Sequence, residues 1–189
     1  MEDSTISIIG IIIASILMFI VPLVLIADRS DDISHLTVQT LTAQFVDNII
    51  KHGKITNEDY GKYISSLSST GNTYDIEIEI KILDENTAQR ETNNDPNAGI
   101  GQNSYYSIYT SQIEEKLAET QPDLSNPTNS LNATGQIILK EGDVISVTAK
   151  NSSKTLSQTL KSIYYNIKGE DLHIIAGAST GTIAVNGAI

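Results

Sequence analysis

ISIIGIIIASILMFIVPLVLIA, residues Ile6 to Ala27, decides how the rest of this chain is read. The 22 residues carry no charge. As an α-helix they extend roughly 33 Å, enough to cross a bilayer core of about 30 Å. A secretory signal would have a basic leader, a shorter apolar core and a small-x-small cleavage site. Here the flank is Met1-Glu2-Asp3-Ser4-Thr5, with no Lys or Arg. The stretch therefore reads as a retained transmembrane helix, residues 6–27, behind a short acidic tail, residues 1–5. Gly10 and Ala14 form a small-xxx-small pair on one face, a spacing that lets a second helix approach closely in lipid. Pro22 cannot donate to the carbonyl of Met18, so the helix is expected to kink or loosen there.

Outward from the span, composition sets the limits. About 160 of the 189 residues lie beyond it, enough for one domain with its own core. A net charge of −11, with 12 scattered basic residues, argues against a nucleic-acid surface, which needs clustered Lys and Arg. The absence of cysteine removes disulfides, thiolate metal sites and thiol catalysis. Arg29 is the one basic residue close to the span, and counted alone it favours a cytoplasmic head. The richness of the head in Asn, Ser and Thr suits an external surface, and this, together with the resemblance described below, leads to the expectation that residues 28–189 form an extracytoplasmic domain.

Past Asp32 the helical pattern continues. Val38, Leu41, Phe45 and Ile49 fall on one stripe, widened by Val46, while Gln39, Thr40, Asp47 and Lys51 face away. Gly53 after Lys51-His52 is a helix stop. The span thus runs, or nearly runs, into an amphipathic helix ending near His52. Thr56 with Asp59 predicts a capped start to a helix over about Asn57–Ser69, with Ile55 and Tyr60 as a staple. In TYDIEIEIKI, Tyr74, Ile76, Ile78, Ile80 and Ile82 alternate with charged residues, the pattern of a half-buried strand.

Two polar stretches, residues 84–104 and 121–135, read as loops. Tyr105, Tyr109, Ile113 and Leu117 recur every four residues and predict a helix. Gln136–Lys140, Glu141-Gly142 and Asp143–Lys150 predict a hairpin. Leu156, Leu160, Ile163 and Tyr164 predict a helix ending at Gly169. Leu172–Gly177 and Thr182–Val185 predict short strands about a turn at Ser179–Gly181. The sum is an α+β fold: a transmembrane helix continuing into an amphipathic helix, packed on a mainly antiparallel sheet.

Chemistry is sparse. GASTG, Gly177–Gly181, matches the G-x-S-x-G elbow, but the eight residues after Gly181 hold no Asp, Glu or His to complete a triad. It reads as a Gly-rich hairpin turn. His35, His52 and His173 lack metal-ligand spacing, and Asp75, Glu77 and Glu79 read as a solvated strand face. No enzyme, cofactor or metal is expected.

The layout of short tail, apolar helix with Pro22, amphipathic continuation and α+β head resembles type IV pilins and pseudopilins. The segment FVDNIIKHGKITNEDYGKYISSLSSTGNTYDIEIEI, Phe45–Ile80, is similar to the small pseudopilin-like proteins of tight-adherence pilus or conjugation loci in Gram-positive bacteria. The resemblance covers about Ile6–Ile80. It implies a filament or secretion assembly built by bundling apolar helices with heads outside, its partners being membrane lipid and other pilin-like subunits. The family's acidic residue near the start of the helix has Glu2 and Asp3 as its nearest substitutes, either of which could pair with a neighbour's terminal amine. No basic leader precedes the helix, so the expectation is a minor or accessory subunit. The alternative function is a tethered external binding module that captures a partner through its two polar loops.

Overall fold

One helix, α1, runs from Glu2 to His52. In this computed structural model, residues 2–83, 105–118, 135–165 and 174–187 are described, without the side chains of Glu2, Asp3 and residues 163–165. The apolar span and the amphipathic segment are one element, and the helix passes through Pro22 without a break. The helix already begins at Glu2, so the acidic residues form its first turn. At the other end Gly53 adopts φ 63° and its N–H bonds the carbonyl of Ile49 at 2.8 Å, closing the helix with a left-handed residue. A side chain at Gly53 would meet the backbone of Gly187 at 2.5 Å, so glycine serves there twice over.

The predicted stripe is the packed one. Val38, Phe45, Val46 and Ile49 are buried and Leu41 is partly so, while Gln39, Thr40, Asp47 and Lys51 are exposed. After β1 (Lys54–Thr56) comes α2 (Asn57–Ser68). Thr56 caps it: its Oγ1 accepts from the Asp59 N–H at 3.1 Å and donates to Asp59 Oδ2 at 2.6 Å. The carboxylate thus binds the capping hydroxyl instead of the backbone N–H that a capping box would offer.

β2 (Tyr74–Leu83) is the strand read from alternation, with Ile78, Ile80 and Ile82 buried. It stands inside a four-stranded antiparallel sheet of order β3-β2-β5-β6, where β3 is Tyr105–Tyr109, β5 Val144–Asn151 and β6 Ala176–Thr182. α3 (Thr110–Ala118) follows β3, and α4 (Leu156–Tyr165) lies against α1. α1 packs on β6 and β5, and α2 on α1. A single core joins Val46 and Ile49 of α1, Tyr63 and Leu67 of α2, Ile113 and Leu117 of α3, and Ile80, Ile145 and Val147 of the sheet.

Three expectations are corrected. Tyr105–Tyr109 is a strand, not helix, and the helix starts only at Thr110. Its four-residue spacing mimics a helical stripe, but Tyr105 and Tyr109 are exposed and Ile108 is the residue that enters the core. Gln136–Lys140 forms no hairpin with Asp143–Lys150: β4 (Gln136–Ile138) pairs with β1, Ile55 opposite Ile137, while β5 pairs with β2 and β6. Ser179–Gly181 is no turn, because β6 runs straight through it with Ser179 opposite Val147. The loops at 84–104 and 121–134, His173 and the predicted helix end at Gly169 lie outside the described residues.

Candidate functional site: the apolar half of the long helix and its clasp to the head

The first half of α1 is apolar on every side, and none of the described residues covers it. Its most apolar 18-residue window has mean hydropathy 3.1, and none of that window is buried. Met18 is 77% exposed and Phe19 72%. A core helix of a soluble domain would be wrapped by its own fold, and an amphipathic one would show a polar face. This helix has neither, and it is long and apolar enough to span a membrane.

Gly10 and Ala14 stand one turn apart on a shared, exposed face, and a side chain added at Gly10 would meet nothing within 4 Å. Pro22, eight residues past Ala14, lies about 80° further round the helix and does not join that face. Glu2 and Asp3 occupy the first turn, where the helix dipole favours acids, but their pairing concerns side chains outside the described residues.

Where the apolar run ends, the head takes hold of the helix. Asp31 Oδ2 accepts a 2.6 Å hydrogen bond from Thr155 Oγ1. Asp28 Oδ1 accepts from Ser157 Oγ and pairs with Lys161 Nζ at 2.6 Å. Thr155 is the residue before α4, and its Oγ1 also accepts the Gln158 N–H at 3.3 Å, while Gln158 Oε1 accepts the Thr155 N–H at 3.1 Å. Two aspartates of α1 thus face the positive end of α4, where carboxylates are stabilised. Thr155 is 1% exposed, Ser157 2% and Asp31 6%, so the Asp31–Thr155 bond is shielded from competing water, while Asp28 and Lys161 stay partly exposed. A turn further on, the Ala176 N–H of β6 donates to His35 Nδ1 at 3.3 Å. Gly177 lies so close to α1 that a side chain there would come within 2.8 Å of the Val38 carbonyl oxygen.

This clasp is not legible in the sequence. The partners of Asp28 and Asp31 lie 129 and 124 positions away, beyond the reach of any local pattern. The one local signal was Thr155-x-x-Gln158, which has the spacing of a capping box. On the other side of the helix exit, Ile26, Arg29, Ile33 and Thr37 line a groove of about 470 Å³ with Ser69 and Thr70.

Elsewhere the polar groups serve packing. Thr42 Oγ1 donates to the Val38 carbonyl at 2.7 Å and lies 2.9 Å from the Tyr63 hydroxyl, both side chains buried. Burial raises the Tyr63 hydroxyl above its usual range, against the opposing pull of Thr42. Tyr60 is pushed higher still, by burial first and then by donating to Glu114 Oε1 at 2.6 Å. His52 Nδ1 donates to the Asn48 carbonyl at 2.8 Å, a helix-end contact. Glu77 meets Lys150 at 3.7 Å, and Glu79 accepts from Ser107 at 2.8 Å. Among the described residues no three His, Asp or Glu side chains are placed to hold a metal ion. GASTG is sheet rather than an elbow, with Ser179 of β6 opposite Val147 of β5.

Compared with known proteins, the chain matches no family model, no curated protein and no solved structure.

Proposed function

We propose that this protein is a single-pass membrane subunit, structural or accessory, of a pilus-like or secretion-type assembly. The apolar half of α1 inserts in the membrane and packs against apolar helices of neighbouring subunits, and the head works outside. The observation that supports this reading is the pairing of a bare, all-apolar helical half with a head clasped to that same helix at its exit. A flexible tether would leave the head free to swivel. A helix continuous with the head core carries the head wherever it packs, as a subunit positioned through its span requires. Gly10 and Ala14 provide the face for close approach, and Pro22 lies off it. Glu2 or Asp3 would pair with a neighbour's terminal amine, a pair that helps only if it also sets register between subunits.

The test is cross-linking in the membrane. A cysteine at Ile13 or Leu17 should link helices of neighbouring copies or co-subunits, with no background because the chain has no cysteine. Replacing Gly10 and Ala14 together by Leu keeps the helix at least as apolar but blocks close approach. The double variant is expected to stay in the membrane fraction and to lose the cross-link. Equal cross-linking in both, or none in either, leaves the helix as a plain anchor and removes the assembly reading.

A further inference from the structure

Among the described residues, the outer edge of β2 is only half covered. On one side β5 pairs with it from Tyr74 to Lys81. On the other side β3 reaches only Glu79 to Leu83. Successive residues of an antiparallel strand point their N–H and C=O groups to opposite sides. The Leu83 N–H bonds Asp143 Oδ1, in the turn leading into β5, and the Ile78 N–H bonds Oγ1 of Thr110, the first residue of α3 just past β3. Even-numbered residues of β2 therefore face the β3 side, and beyond the end of β3 those are Tyr74 and Ile76. Thr110 closes the edge at Ile78, and its hydroxyl lies 3.4 Å from the Ile76 carbonyl oxygen. The Ile76 N–H and the Tyr74 carbonyl have no partner among the described residues.

A groove of about 910 Å³ runs along this edge. Tyr60 and Ile64 form its inner wall, and Ile64 is 38% exposed although it belongs to the helix that covers the core. Asp75, Glu77, Glu79 and Glu114 line it, with no Lys or Arg. Lys150 and Lys81 reach Glu77 and Glu79 only at 3.7 and 3.9 Å, from exposed positions outside the lining. This charge pattern selects the occupant. A second copy laid β2 against β2 would set Asp75, Glu77 and Glu79 of two chains across from one another, and like charges oppose such pairing. A cationic strand would be drawn to the same face.

We propose that Tyr74–Ile78 is an acceptor edge for an extended segment of a partner protein in which Lys or Arg alternates with aliphatic residues. The segment joins the sheet beside β2, in line with β3. Its backbone pairs with Tyr74 and Ile76, its aliphatic side chains lie toward Tyr60 and Ile64, and its cations lie toward Asp75, Glu77 and Glu79. No residue of α1 lines this groove, and the proposal goes beyond the assembly role, so it stands or falls separately.

The experiment uses the full-length protein in detergent micelles and a labelled short peptide of alternating Lys and Val. Binding is read by fluorescence anisotropy, and amide exchange is followed at Ile76. The Lys/Val peptide is expected to bind and to slow exchange at Ile76 by about tenfold or more. Methylating the peptide amides that face the edge, or exchanging Lys for Glu, should weaken binding by about tenfold. The variant Asp75→Lys/Glu77→Lys should weaken it similarly with an unchanged circular dichroism spectrum, since both side chains are exposed. Failure of the Lys/Val peptide to bind, unchanged exchange at Ile76, or equal binding of the methylated peptide would overturn strand addition. Equal binding of the Glu/Val peptide would overturn the cationic partner.

Discussion

Phe45 is the residue on which α1 and α2 meet. Its ring stacks on Tyr63 at 4.4 Å and 2°, and stands 6.5 Å from Tyr60. The helical stripe foretold that Phe45 would be buried, but not that two tyrosines of α2 would receive it. Phe45→Ala removes the stack and leaves a cavity, so a loss of about 3–5 kcal/mol is expected in denaturant melts. A change under about 1 kcal/mol would mean that the ring is not docked. Tyr60 gives a second, pH-dependent prediction. Burial, and next its bond to Glu114, raise its hydroxyl in the folded state, whereas the unfolded chain releases that proton near pH 10. A raised folded value means that the contribution is complete below about pH 10 and falls away as pH rises beyond it. Alkaline melts should therefore steepen from about pH 10 upward, and Tyr60→Phe, which has no proton to lose, should flatten that slope.

Elements with strong local patterns were legible in the sequence. The α1 stripe, the Thr56 cap and the alternation of β2 each arise from residues close in the chain, so each could be seen without the fold. β3 was not legible, because Tyr105 and Tyr109 mimic a helical stripe and only the uncovered edge of β2 from Glu79 to Leu83 makes that segment a strand. The start of α4 was only partly legible. Thr155 and Gln158 have capping spacing, but Leu156, read as part of an apolar stripe, is 64% exposed, while Ser157 beside it is buried. That inversion follows from the clasp, which turns Ser157 toward Asp28. Thr155→Ala would remove the cap and leave the Asp31 carboxylate buried without its partner. A loss of about 2–4 kcal/mol is expected, with faster amide exchange in α4 and little change in β2. Uniform acceleration across both elements would mean that α4 does not open separately.

At the scale of the whole molecule, the span and the head share one helix, so the orientation of either determines that of both. Lys62 is an exposed residue of α2, paired with exposed Glu58 at 2.6 Å. Lys62→Cys should react with a membrane-impermeant maleimide on intact cells, with any wall removed, and the protein should resist carbonate extraction. Labelling only after lysis would place the head in the cytoplasm and remove the assembly reading. An apolar span, a helix stripe and an alternating strand could be read directly from the chain, because each is a periodicity among neighbours and the side-chain period alone decides which face is buried. Pairing could not be read that way. β4 looks ready to fold back on β5, yet it joins β1, while β5 lies between β2 and β6. Strand partners, the Asp31–Thr155 bond across 124 positions and the half-open edge of β2 depend on which surfaces meet once the core has closed. Local sequence carries no record of those meetings, and only the tertiary structure decides them.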